Sequence, residues 1–359
     1  MNWYKIIGAS LAVSFLSFLL WWPNNRLGET KPKAVVQKNT PRSIQGLVQE
    51  PKKIVSNEEA VKVTIKQLSQ NGLPSLTDQQ IQGYLTSNDR DATCLIVGSR
   101  LSKNPELLRE AVARFGDNPV VQLEMALRGT TPEERQAALD SFKQHDPQNP
   151  LCDYLDSLNA FERGDFAKAA GGLIQSLDSG TLQDYSLVLA SGTEAAYLAA
   201  GFSSTDAQLY ALFDSAQRNQ DTTGKMGAVA NKLGELRDHY IKNNDIDGAE
   251  PTVAIGLDIG QKIQSQEKPS FLSSLVGIDI ESKILNQLDP QTPINFEGQT
   301  AEARLSELNQ QKNMLQSLVQ KAQDLPISKM SDEQMKDYTQ RLRSQGEVNA
   351  TQWWINQNK

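Results

Sequence analysis

Two regimes of hydrophobic patterning divide the chain. Between Ile6 and Trp22 apolar residues run on without a charge. From residue 57 onward they recur at spacings of three and four, broken by polar turns, and strand signals are scarce. In Leu151–Gly164, for example, Tyr154, Leu158 and Phe161 fall on one helical face. Start signals mark where these helices begin. Ser56-Asn-Glu-Glu59, Thr77-Asp-Gln-Gln80, Thr131-Pro-Glu-Glu134 and Ser331-Asp-Glu-Gln334 read as reciprocal N-terminal caps. Asn104-Pro105, Asn118-Pro119 and Asn149-Pro150 each set a good capping residue before a proline. Short helices joined by short turns predict antiparallel neighbours.

One segment has a sharper pattern. In Asn149–Leu173 the centre reads Gly164-Asp165-Phe166-Ala-Lys-Ala169. It resembles the turn between the two helices of a tetratricopeptide repeat, where a Gly/Asp turn is followed by an aromatic and then a small residue. The resemblance gives Ala169 the role of letting the helices approach. Leu173 and Ser176 fall where that family sets a large and a small residue. Asp153 and Thr181 depart from it, standing where a Trp-like residue and a Pro are usual. A second echo, Asn244-Asp245-Ile246-Asp-Gly-Ala249, follows a helix face of Val229, Leu233, Leu236 and Tyr240. Behind it Gly256 and Gly260 form a small-xxx-small pair suited to close packing. The two echoes cover about one repeat each and the period is irregular. The expected fold is all-α: a TPR-like α-α superhelix over 57–270, with a C-terminal helical module over 271–359.

That module has its own pattern. Phe271–Leu288 is strongly apolar and ends at Asp289-Pro290. Leu305, Leu308, Leu315, Val319 and Ala322 make a heptad-like stripe interrupted by Lys312, too short for a sustained coiled coil. Trp353 and Trp354 either pack back on the last helix or present an aromatic anchor to a partner.

The N-terminal run has the length of a transmembrane helix. Trp3 to Trp22 is about 30 Å at ~1.5 Å per residue, and Trp3, Tyr4, Trp21 and Trp22 supply aromatic belts at both ends. The bulky residues after the run do not resemble a signal-peptidase site. Residues 1–22 are thus expected to form an uncleaved, single-pass signal-anchor, and 23–56 a flexible basic linker. The lysines and arginines after the span favour a cytoplasmic body, whereas a lone N-terminal span usually directs export. The expectation adopted is an exported body.

Charge and composition narrow the function. Residues 1–58 hold eight Lys/Arg against three Glu, a net of +5, which leaves −12 on the remainder of a chain with net charge −7. An acidic body argues against nucleic acid, whose phosphates require a basic stripe. Two cysteines, Cys94 and Cys152, read as buried small hydrophobes, and with His145 and His239 they lack metal-site spacing. No phosphate-binding glycine loop is present. Gly201-Phe-Ser203-Ser-Thr205 is half of a nucleophile elbow. Asn243–Gly248 imitates an EF-hand loop, but Pro251 and Ala254 occupy ligand positions. No catalytic, cofactor or metal residues are assigned. The expected function is a membrane-anchored, non-enzymatic scaffold that binds a protein or peptide. The alternatives are a homo-oligomeric structural component assembled through 271–359, and an envelope-polymer enzyme with an unrecognised carboxylate site.

Overall fold

The computed structural model describes residues 57–294, 298–324 and 329–358. The candidate membrane anchor, including Trp3, Tyr4, Trp21 and Trp22, and the linker lie outside them. Among the described residues no helix is long and apolar enough to cross a membrane.

The described chain is all-α, with fifteen helices and a single isolated bridge, Pro293–Thr300. The first nine are α1 (Asn57–Asn71), α2 (Asp78–Ser87), α3 (Ala92–Ser102), α4 (Pro105–Arg114), α5 (Pro119–Arg128), α6 (Pro132–His145), α7 (Leu151–Glu162), α8 (Phe166–Ser176) and α9 (Ser186–Ala199). Then come α10 (Ser204–Lys242), α11 (Ile246–Gln264), α12 (Phe271–Leu285), α13 (Ala301–Asp324), α14 (Asp332–Gln345) and α15 (Glu347–Gln357).

Local chemistry sets most of the helix starts. Thr77, Thr131 and Ser331 form complete capping boxes, and Asn104 and Asn118 cap α4 and α5 ahead of a proline. Asn149 behaves differently. The helix begins one residue later, from Pro150, and the Asn149 carboxamide oxygen accepts from both Leu151 N and Gln183 N. It ties the start of α7 to the loop before α9 instead of capping alone. Ser203, from the half nucleophile elbow, is the cap of α10 and accepts from Asp206 N at 3.1 Å.

The pairs α3/α4, α5/α6 and α7/α8 pack side by side, which makes the chain helical-repeat-like. The first helix of each pair is buried nearly all round; α5 buries six consecutive residues, Val121 to Ala126. The cover on the other side is α9 and α10. At 39 residues, α10 is about 58 Å long at ~1.5 Å per residue and packs against α1, α7, α9, α11, α12 and α14.

The two echoed turns have the same backbone. Gly164 lies at φ 75° and Asn244 at φ 57°, both left-handed. Asp165 N donates to Ala160 O and Asp245 N to Tyr240 O, each at 2.9 Å. Asp165 and Asp245 then cap α8 and α11 through Lys168 N and Gly248 N. Asn takes the left-handed position because its short polar side chain tolerates it better than most. Ala169 and Ala249 are buried, whereas Phe166 and Ile246 are exposed, Phe166 edge-on to Phe161.

Helices α11 and α12 cross on glycine. A Cβ on Gly260 would stand 2.9 Å from Gly277 O, and one on Gly256 2.8 Å from Ile284 Cγ1. The crossing therefore depends on the absence of those methyl groups.

A buried ionic cluster pins α3, α5 and α9 to α10. Arg218 pairs with Glu124 and, at 3.0 Å, with Asp214 Oδ2. Arg100 Nε reaches Asp214 Oδ1 at 2.6 Å, and Thr193 Oγ1 donates to Asp214 at 2.8 Å. Burial opposes ionisation of Asp214, but Arg218 and Arg100 outweigh it and hold the carboxyl below its usual range. The last helices return to this body. Met330, Tyr338, Leu342 and Trp354 join the main core, Arg343 pairs with Glu194, and Thr205 Oγ1 donates to Asp332 at 2.6 Å.

Candidate functional site

The recess with the most developed chemistry is a cleft of about 190 Å³. Its walls come from the α8–α9 loop, the middle of α10, the α11–α12 loop and the helices α14 and α15. Leu212, Phe271, Leu272, Met330, Leu342 and Trp354 give it an apolar lining.

A ladder of hydrogen bonds runs along one wall. Asp184 Oδ1 accepts from Ser186 N at 3.0 Å and from Ser186 Oγ at 2.9 Å, fixing the start of α9. Asp184 Oδ2 accepts from Asn219 Nδ2 at 3.1 Å. Asn219 Oδ1 in turn accepts from Ser270 Oγ at 2.8 Å. Ser270 caps α12, and the next amide, Phe271 N, donates to Glu347 Oε2 at 3.0 Å. Asn219 follows Arg218 in sequence, so α10 turns one residue into the ionic cluster and the next into the cleft.

Glu347 is positioned by backbone. Gly346, at φ 82°, separates α14 from α15 and lies so close to the 268–269 backbone that a Cβ would meet Lys268 C at 2.8 Å. Glu347 N donates to Pro269 O at 3.1 Å, while its side chain accepts from Phe271 N. The start of α15 is thereby clamped to the start of α12. Burial pushes the Glu347 carboxyl up to about 7, against the opposing effect of the Phe271 amide. Tyr338, beside it, is also raised, by burial first and then by Glu347. Its hydroxyl is paired with Thr351 Oγ1 at 3.2 Å.

The same wall carries a left-handed residue. Tyr185 sits at φ 54°, bonded to Asp146 through its hydroxyl. Asn149 Nδ2 holds the same loop through Gln183 O at 2.9 Å. A non-glycine residue in this conformation is uncommon, and here its own hydroxyl bond and the Asn149–Gln183 bond hold it in place.

Of the residues singled out by sequence, Trp354 lines the cleft and is buried. Trp353 is half-buried with the Arg341 guanidinium 4.4 Å above its ring. The turn residues Gly164, Asp165, Phe166, Ala169, Asp245, Ile246 and Ala249 stay in their two turns and do not line the cleft. Cys94 and Cys152 are buried and unpaired, and burial pushes both thiols up to about 12. Among the described residues no group of His, Cys, Asp and Glu is arranged to hold a metal ion. Asp184, Asn219, Ser270 and Glu347 carry no local sequence signal beyond the capping role of Ser270. Their proximity is a product of the tertiary fold.

The chain matches no protein-family model, no curated protein and no solved structure.

Proposed function

We propose that this is a non-enzymatic, protein-binding scaffold of tetratricopeptide-like build, tethered to a membrane by residues 1–22 with its body exported. It docks a peptide segment of a partner by taking one anchor side chain into the cleft. The observation that carries the reading is the cleft itself, apolar on most sides and polar along one wall. Its 190 Å³ falls below the ~300 Å³ at which small-molecule sites begin and suits one large side chain. Anchor side chains in desolvated pockets supply much of the energy of protein interfaces. The tetratricopeptide likeness is supported by the twin turns at Gly164 and Asn244 and by the paired helices. The tether rests on the uncharged run Ile6–Trp22 with its flanking aromatics. The inner faces of α3, α5 and α7 are covered by the chain's own α9 and α10, which moves the docking reading from a repeat groove to the cleft.

The alternatives find less support. In 271–359 Met314 is the single exposed large hydrophobic residue among the described ones, which is little surface for assembly through that region. Glu347, near 7, is in the range of a general acid, but Asp184 is committed to capping α9 and to Asn219.

Photocrosslinking in native membranes tests the docking reading. A photoreactive residue at the exposed rim position Val188 is expected to trap a defined partner, and Ala216→Phe, which fills the cleft, to abolish the adduct. Adducts that persist unchanged in the filled variant, or no adduct at all, would count against it. Protease accessibility in sealed cells tests the export.

A further inference from the structure

We infer that the side chain the cleft accepts is basic, a lysine or arginine of the partner, with its stem against Leu212, Phe271 and Trp354 and its charged head toward Glu347. This rests on the docking reading and specifies its ligand.

Charge is the first ground. The described lining residues include Asp184, Glu267 and Glu347 against Lys268 alone. Neither Asp184 nor Glu347, both partly buried, has an ion-pair partner among the described residues, although the buried acids are paired, Asp214, Glu124 and Glu281 with arginines and Asp153 with Lys143. The second ground is incomplete satisfaction. A carboxylate offers about four acceptor positions. Glu347 uses one, for Phe271 N, and sits partly buried where burial already raises its carboxyl. A donor entering through the cleft supplies what the walls do not. An ammonium or guanidinium provides several N–H groups, and a charge-assisted bond is about twice as strong as a neutral one.

Shape is the third ground. Lysine and arginine are apolar along the stem and polar at the tip, so they need an apolar channel leading to an acceptor. The cleft supplies both parts: Leu212, Phe271 and Trp354 among its walls, and Glu347 held at the clamp between α12 and α15. The Trp354 and Phe271 rings can also face a guanidinium. An acidic side chain would meet like charge, and a purely aliphatic one would fill the walls but leave Glu347 desolvated with a single donor.

The probes are pentapeptides of sequence acetyl-Ala-Leu-X-Leu-Ala-amide, with X lysine, arginine, norleucine or glutamate, titrated against the full chain in detergent micelles by saturation-transfer NMR. Norleucine is the uncharged match for the lysine stem. The lysine and arginine peptides are expected to bind at least about tenfold tighter than norleucine, with glutamate weakest. Glu347→Gln keeps the acceptor for Phe271 N and is expected to bring lysine to the norleucine level without changing norleucine itself. Glu133→Gln, on the exposed first turn of α6 and outside the cleft, is expected to leave lysine binding unchanged. Norleucine binding as well as lysine overturns the basic specificity and leaves the docking site standing. So does a lysine preference that survives Glu347→Gln. No binding by any peptide, or binding unaffected by Ala216→Phe, overturns the docking site along with its ligand.

Discussion

Replacing Glu347 by glutamine should make the protein more stable at alkaline pH and leave it nearly unchanged in mild acid. The folded carboxyl titrates near 7, against 4.5 for the same group in water. Between those values the folded state holds a proton that the unfolded state has released. Stability from this group is therefore fully present below 4.5 and is lost as pH rises through 7. Each pH unit separating the folded and unfolded titrations corresponds to about 1.4 kcal/mol, so the complete loss is on the order of 3 kcal/mol, with about 2 of it falling between pH 5.5 and pH 8. Glutamine is of similar size, retains an oxygen for Phe271 N and does not ionise. The effect should concentrate where Glu347 acts, in α15 and at the α12 start. Amide hydrogen exchange of those helices, with both proteins compared at the same pH, cancels the intrinsic pH dependence of exchange. The ratio of wild-type to variant protection should fall by more than about tenfold between pH 5.5 and pH 8. A flat ratio, or one that rises with pH, would refute both the burial of the carboxyl and its placement in the clamp.

Four further outcomes follow from the packing. Arg218→Ala leaves Glu124 and Asp214 buried without their main partner and should cost about 3–5 kcal/mol, read as a lower urea midpoint. Gly260→Ala drives a methyl group against Gly277 O and should cost about 1–3 kcal/mol in thermal melts. Gly171→Ala, in α8 with nothing within 4 Å, should instead gain up to about 1 kcal/mol. Cys94 and Cys152, with thiols pushed up to about 12, should resist an aromatic disulfide reagent at pH 8 in the native protein and react together once it is denatured. Rapid native labelling of either would contradict their burial.

What the sequence disclosed and what it concealed divide along the range of the interactions involved. Caps at Thr77, Thr131, Asn104, Asn118 and Ser331 were readable because donor and acceptor lie two or three residues apart. The turns at Gly164 and Asn244 were readable for the same reason. The glycine pair 256/260 announced a close crossing, but its partner Gly277 became visible only in space. The length of α10 was not evident. Its middle, Asn219-Gln-Asp-Thr-Thr-Gly224, has the composition of a loop, and helix persists there because Asn219, Thr222 and Thr223 are buried against neighbours. The cleft was hidden altogether. Its ladder joins residues 184, 219, 270 and 347, and no local periodicity encodes a meeting of two loops, a helix middle and a helix start.

The long helix also sets an order of events during synthesis. Helices α3, α5 and α7 emerge first, together with their outer partners, and can zip into pairs through neighbouring contacts. Their inner faces, including Glu124, must wait until residues beyond 204 have been made. A growing chain of typical pace adds about 5–20 residues each second. Completing α10 from Ser204 to Lys242 thus takes about 2–8 seconds, during which an apolar surface stands uncovered with Glu124 lacking its Arg218 partner. The ionic cluster makes that interval less hazardous. A half-finished array carrying Glu124 without Arg218 is poorly suited to pair with another half-finished copy, so the charge that locks α10 in place at the end also discourages misassembly at the start.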